Sequence, residues 1–182
     1  MSMRTAGLMV CMLAALGGCS SKPDLSRVNP PGLDFSGTWI IDFSASGSVA
    51  DLGNPNRPGT PLDRRMSRRD AVRIAKGSDL EFISVDFQVL RADKMIIELS
   101  RESMGIRYQP GGYRDISWGE RQRGLWEVTA GWQEDNLVVI SEAGRLRVVE
   151  TLSRTAPNEL SVRVNIDIDS GEQEIVRVFN RR

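Results

Sequence analysis

Few side chains in this sequence are placed to do chemistry, and the first of them is a thiol. Cys19 closes the run Leu16-Gly17-Gly18-Cys19, where an apolar stretch gives way to Ser20-Ser21-Lys22-Pro23-Asp24. A thiol is a nucleophile, and its small neighbours leave the backbone open to processing. The second cysteine, Cys11, lies inside the apolar stretch. The chain has no histidine, so the commonest general base and the commonest metal ligand are both missing. It carries no phosphate-binding glycine loop and no Gly-x-Ser-x-Gly nucleophile turn. Asp167, Asp169 and Glu172 invite a calcium reading, but the glycine and fifth-position ligand of a calcium loop are not at the right offsets. A glycosidase needs only two carboxylates at the right separation, and nothing in the sequence selects a pair. The expectation is a protein with no catalytic residue, no metal site and no cofactor, and not an enzyme.

The elements around Cys19 give it context. Arg4 supplies a positive charge, residues 6–16 are almost entirely apolar, and Gly17 and Gly18 are small. This is the layout of a secretory signal over residues 1–18. The apolar stretch is shorter than the roughly 20 residues that span a bilayer. An N-terminal transmembrane anchor and a plain cleaved signal remain as alternatives. Residues 19–34 are polar, aperiodic and hold three prolines, which predicts a flexible tether. Residues 35–182 are expected to form a single domain. The 24 basic and 24 acidic residues cancel, so no overall basic field points to nucleic acid.

From residue 35 the pattern is that of strands. Residues 35–46 alternate, with Trp39, Ile41 and Phe43 on one side. Residues 44–62 are rich in Gly, Pro, Ser and Asn and read as a long loop, a natural lid. Ser67 and Gly77 bracket a short basic helix, whose face suits either solvent or anionic lipid headgroups. Strands are then predicted over 81–91, 95–100, 105–108, 113–118, 125–131, 137–142, 146–152, 160–168 and 174–180. The clearest is 160–168, with Leu160, Val162, Val164, Ile166 and Ile168 on one face and polar residues on the other. Short links between consecutive strands favour an antiparallel meander. Closure removes exposed edges. The expected fold is therefore all-β: an antiparallel up-and-down barrel of about 8–9 strands with one short helix, a β-sandwich being the alternative. Val128, Val162, Val164 and Ile166 are candidate lining for a cavity, and a barrel of eight strands has room for about one small ligand.

Two resemblances sharpen these expectations. Leu16-Gly17-Gly18-Cys19 resembles the lipobox of bacterial lipoproteins. That likeness implies that the Cys19 thiol is alkylated by a diacylglyceryl group, that the chain is cut before it, and that the new amine is acylated. Ser20, rather than Asp, after the cysteine implies sorting to the outer membrane, facing the periplasm. Gly37-Thr38-Trp39 resembles the G-x-W signature of lipocalins and related calycins. The hairpin GWQEDNLVVI over 131–140 and the end VRVFNRR over 176–182 are similar to bacterial lipocalin-like proteins. The likeness implies that Trp39 closes one barrel end and that Arg177 or Arg181 packs across its indole. The chain departs from secreted lipocalins in having no disulfide pair, in lacking their second and third motif blocks, and in placing its helix near the front. Together these imply a lipocalin-like lipoprotein held to the membrane by its lipid anchor. Its partner is an apolar small molecule or, alternatively, another envelope protein that it docks or assembles.

Expression in a bacterium that processes lipoproteins should give a chain acylated on Cys19 that sediments with membranes, and Cys19→Ala should abolish both. Intact-mass measurement checks this; an acyl-free chain starting elsewhere would refute it. Each buried methylene adds about 0.8 kcal/mol, so two or more chains anchor stably.

Overall fold

A strand with one dry face must bury that face, and a row of such strands does so by curling around a shared interior. The computed structural model describes residues 23–47, 83–168 and 171–182. Among them are ten strands: β1 Gly37–Ile41, β2 Lys94–Leu99, β3 Ser103–Gln109, β4 Tyr113–Ser117, β5 Gly119–Arg123, β6 Trp126–Gln133, β7 Asn136–Ala143, β8 Leu146–Ala156, β9 Glu159–Ile168 and β10 Gly171–Arg181. They make one antiparallel sheet in the order β4-β3-β2-β1-β10-β9-β8-β7-β6-β5. Neighbours in the sheet are neighbours in sequence, except that β1 pairs with β10, with Trp39 opposite Arg181. The result is a nearly closed up-and-down barrel of ten strands, rather than eight or nine, and a single sheet rather than a sandwich.

The seam lies between β4 and β5. They are joined through Trp118 alone, yet they are the two edges of the sheet. A side chain spans the gap instead: Arg121 Nη1 donates to Ser117 Oγ at 2.8 Å and Asp115 Oδ2 at 3.2 Å, and Nη2 donates to the Asp115 carbonyl at 3.1 Å.

Nine of the expected strands coincide with β1–β4 and β6–β10. The strand expected over 81–91 is corrected. Residues 83–86 are α-helical, and Gln88–Leu90 form a 3-10 turn. The Phe87 amide donates to the Ile83 carbonyl at 2.8 Å. Ile83, Phe87 and Leu90 recur at helical spacing and are buried; a short apolar run satisfies either period, and packing against the barrel end decides it. Phe43, expected beside Trp39 and Ile41, lies in a turn past β1 and is exposed. The helix expected over 67–76, most of the loop expected over 44–62, and Cys19 lie outside the described residues.

The two ends of the barrel are covered differently. At the end reached by the β3–β4, β5–β6 and β7–β8 turns sits the 83–90 helical segment. At the other end lies the N-terminal chain. Residues 25–33, expected to be free tether, are docked there. The backbone of Ser26 exchanges two hydrogen bonds of 2.8 Å with Trp132, next to the β5–β6 ladder that begins at Gly119 and Ala130. Asn29 Oδ1 accepts from Trp118 Nε1 at 3.1 Å and Trp132 Nε1 at 3.0 Å, and its Nδ2 donates to the Ser100 carbonyl at 2.7 Å. Gly131 makes room for this strap: a Cβ there would stand 2.7 Å from the Ser26 carbonyl oxygen and 2.8 Å from the Leu25 Cβ. Phe35 completes the plug, its ring centroid 5.5 Å from that of Trp132.

Asn29→Ala takes the acceptor from the buried Trp132 indole N–H, while Trp118 Nε1 keeps the Arg101 carbonyl, and is expected to destabilise the fold by about 1–3 kcal/mol. Amide exchange should be slow at Ser26 and at Trp132 in the parent protein and fast at both in Gly131→Val. Fast exchange at Ser26 in the parent would show that the strap does not dock.

Candidate functional site

Alternation decides which side chains enter the barrel. On β4 it turns Arg114 and Ile116 inward, because their partners Ile106 and Met104 on β3 belong to the core. On β8 it turns Val148, Glu150 and Leu152 inward, opposite Ile166, Val164 and Val162 on β9. The interior therefore receives an arginine and a glutamate from strands far apart in the sheet. They meet inside: Arg114 Nη1 donates to Glu150 Oε1 at 2.8 Å and lies 2.7 Å from Oε2. Both side chains are 3% exposed.

Aromatic side chains of the core lie against this pair. The Phe87 ring lies under the guanidinium, 5.6 Å from Arg114 Cζ to its centroid. Phe87 in turn meets Trp126 edge-on at 5.1 Å, and Trp126 Nε1 donates to Asp86 Oδ2 at 2.7 Å. The helical segment is thus tied to the charged pair through one aromatic stack. Burial pulls the Arg114 guanidinium down, but the Glu150 carboxylate and the Tyr108 phenol outweigh it and leave it above its ordinary value. The buried Tyr108 phenol is pushed up to about 12, chiefly by burial, with Arg114 opposing. The half-buried Arg123 at the end of β5 is lowered, by burial first and then by the field of Arg114, with Glu150 and Asp86 pulling the other way.

The pairing is one-sided. Arg114 Nη1 lies against both oxygens of Glu150, and the Tyr108 phenol is a further hydrogen-bonding neighbour of the guanidinium. Gln173, on the inner face of β10, has an unpartnered Oε1. Buried polar atoms are normally satisfied, so the buried Arg114–Glu150 pair and the Gln173 amide stand out in an otherwise apolar interior.

Of the residues expected from sequence, Val128, Val162, Val164 and Ile166 all face inward and are buried in the core. Val164 lies directly opposite Glu150. Arg181 stands over Trp39, with Cζ 4.7 Å from the ring centroid, and Trp39 Nε1 donates to the Phe35 carbonyl at 2.8 Å. Arg177 does not share that contact. It faces the helical end, where Nη1 donates to the Gly47 carbonyl at 2.9 Å and Nη2 to the Ala92 carbonyl at 3.1 Å. The sequence reading missed Arg114, Tyr108 and Glu150. Glu150 was legible as a charge in the dry row Leu146, Val148, Glu150, Leu152. Among the described residues no three metal-ligating side chains come together, and no helix is long and apolar enough to cross a membrane.

No protein-family model matches the sequence, and neither does any curated protein. Solved structures share the fold. The fatty-acid-binding protein 1 of Echinococcus granulosus aligns over 81% of this chain and 96% of its own, with a TM-score of 0.50 and 13% identity. The fluorescent protein UnaG aligns over 81% of this chain and 97% of its own, with a TM-score of 0.48 and 13% identity.

A phenol whose folded pKa is raised contributes full stability below its unfolded value near 10 and loses it as pH climbs toward 12. Tyr108 should therefore weaken the fold above about pH 10, by up to roughly 3 kcal/mol. The chain has two tyrosines. In a Tyr113→Phe protein the one remaining phenol should ionise near pH 12 or together with unfolding, as followed by tyrosinate absorbance. Ionisation near pH 10 in a folded protein would contradict the burial of Tyr108.

Proposed function

We propose that this chain is a lipid-anchored envelope protein whose barrel holds one hydrophobic small molecule, without catalysis. The observation that carries the reading is the Arg114–Glu150 cluster. Inward-facing aliphatic and aromatic rows around a few converging polar groups, Arg114, Glu150 and Tyr108, are the side-chain make-up of a small-molecule site. The likeness of the fold to a protein named for binding fatty acid supports the same reading. The tail would lie among Val128, Val162, Val164 and Ile166, with its polar end at Arg114.

In this proposal residues 1–18 are removed and Cys19 carries the acyl chains at the outer membrane, facing the periplasm. Because the strap is docked from Leu25 onward, the free link from Cys19 is short. Six residues extend at most about 20 Å. The Trp39 end of the barrel then faces the bilayer, and the helical end faces away from it.

A second reading, docking of another envelope protein, draws support from that far end. Phe43, Val85, Tyr113 and Leu125 are exposed there; each lies in the helical segment or beside a turn of that end.

The delipidated domain, residues 20–182, should bind the neutral dye N-phenyl-1-naphthylamine at one molecule per chain, with a rise in fluorescence. Val164→Trp fills the space opposite Glu150 and should remove binding while the domain stays folded. Overpacking a core that is already full costs about 1–3 kcal/mol. Absence of dye binding by the parent, together with a large drop in melting temperature for Val164→Trp, would replace the carrier reading with the docking one.

A further inference from the structure

The barrel wall carries a second apolar surface, and it faces away from the lumen. On β7 alternation sends Leu137 and Val139 into the core, so Val138 and Ile140 point outward. Their partners on β8, Thr151 and Val149, stand on the same side, and those on β6, Gly131 and Thr129, are small. The outer face of such a wall ordinarily meets solvent, yet Val138 is 6% and Ile140 4% exposed. Neighbours within a sheet stand beside a side chain and not over it, so the cover comes from off the sheet. Its direction shows at Pro23. The strap crosses the outer side of Gly131 at Leu25 and Ser26. Two residues earlier, Pro23 lines a groove of about 270 Å³ together with Val138, Ile140, Val149 and Thr151. The groove runs from Gln133, at the strap end, to Arg147 and Asp167, toward the helical end.

We infer that this outer groove is the seat of the chain's own N-terminal apolar group, which in the processed protein is one acyl chain of Cys19. The inference rests on the lipid-anchor reading above. Removal of residues 1–18 takes away the apolar stretch of residues 6–16, and Ser20, Ser21 and Lys22 are too polar to cover Val138 and Ile140. The acyl group is the apolar material that stays upstream of Pro23. The reach suffices: the four residues from Pro23 back to Cys19 extend at most about 14 Å, while Val138 and Ile140 lie about 7 Å apart along β7. The groove offers a hydrocarbon chain apolar contact and shelter from water. It is distinct from the lumen, which lies on the other face of the same strands. A seated chain is withdrawn from the bilayer, so the groove sets how many of the acyl chains hold the protein to the membrane.

The test places a photoreactive group on the anchor. The lipidated protein is purified in detergent from a bacterium grown on a palmitate analogue with a diazirine near the end of its chain, and is then irradiated. Intact mass first establishes whether Cys19 is acylated. Peptide mapping should find crosslinks within the same chain on the outer residues of β7 and β8, chiefly Val138, Ile140 and Val149. Ile140→Glu puts a charge in the groove and should remove these crosslinks while Cys19 stays acylated. Crosslinks in the acylated parent that avoid these residues, falling on detergent or on lumen residues such as Val128 and Val162, overturn the inference and leave the lipid anchor standing. A chain with no acyl group on Cys19 overturns both. The pattern in the parent protein decides between these outcomes alone, so it holds even where the Ile140→Glu protein does not fold.

Discussion

One ion pair crosses the inside of the barrel, and much of the interior is arranged around it. Arg114 comes from β4, an edge strand with a ladder on one side only. Glu150 comes from β8, on the other side of the sheet. Their contact, with both side chains 3% exposed, gives the edge strand a second attachment through the lumen. Removing one partner of such a pair costs about 3–5 kcal/mol, because it strands a buried charge. Replacing both by well-packed apolar residues is often neutral or stabilising. A buried pair is therefore poor evidence of selection for stability.

A barrel wall solves the problem of sheet edges but leaves two open ends, and this chain closes them by different means. At the Trp39 end the closure is aromatic and amide-based. Phe35, Trp118 and Trp132 form the floor, and Asn29 accepts from the indole N–H of both tryptophans. Without that acceptor, the Trp132 indole would be buried with an unsatisfied donor, while Trp118 Nε1 would keep the Arg101 carbonyl at 2.9 Å. At the other end the closure is helical, and it is joined to the lumen chemistry. Phe87 touches both the Arg114 guanidinium and Trp126. Arg177 binds the carbonyls of Gly47 and Ala92, which flank the long insertion between β1 and β2. The two ends of the insertion are thus tied by one side chain from β10, the strand paired with β1.

What can be read from the sequence follows from how strongly a segment obeys one period. β9 alternates without exception over 160–168, and its dry-face residues Leu160, Val162, Val164 and Ile166 are all buried. β5 cannot be found in this way. Its inward positions are Gly119, Arg121 and Arg123, which carry no apolar signal, because Arg121 serves the seam and Arg123 faces the charged pair. The 81–91 segment satisfies period two through Val85, Phe87 and Val89, and helical spacing through Ile83, Phe87 and Leu90; the deciding information is tertiary. The proline-rich stretch before residue 35 looks like free tether by composition. Its attachment depends on one backbone bridge, one asparagine and the bare Cα of Gly131, none of which has a periodic signature. Glu150 lies in plain sight within a dry row. A charge on an inward face counts as noise until its partner is known, and Arg114 lies 36 residues away in sequence.

Length and topology together decide which end of the proposed anchored form meets solvent. The docked strap leaves only about 20 Å of chain between Leu25 and the bilayer, less than a freely tethered domain would have. The indole-rich end is then held low, and its groups already satisfy one another. The helical end carries most of the large exposed apolar side chains among the described residues, Phe43, Val85, Tyr113 and Leu125. It is also the end at which Phe87 stands between solvent and the Arg114–Glu150 pair. Under the proposed carrier reading, moving Phe87 aside to admit a ligand would uncover one face of the Arg114 guanidinium and break its edge contact with Trp126, so entry would be coupled to the helical segment.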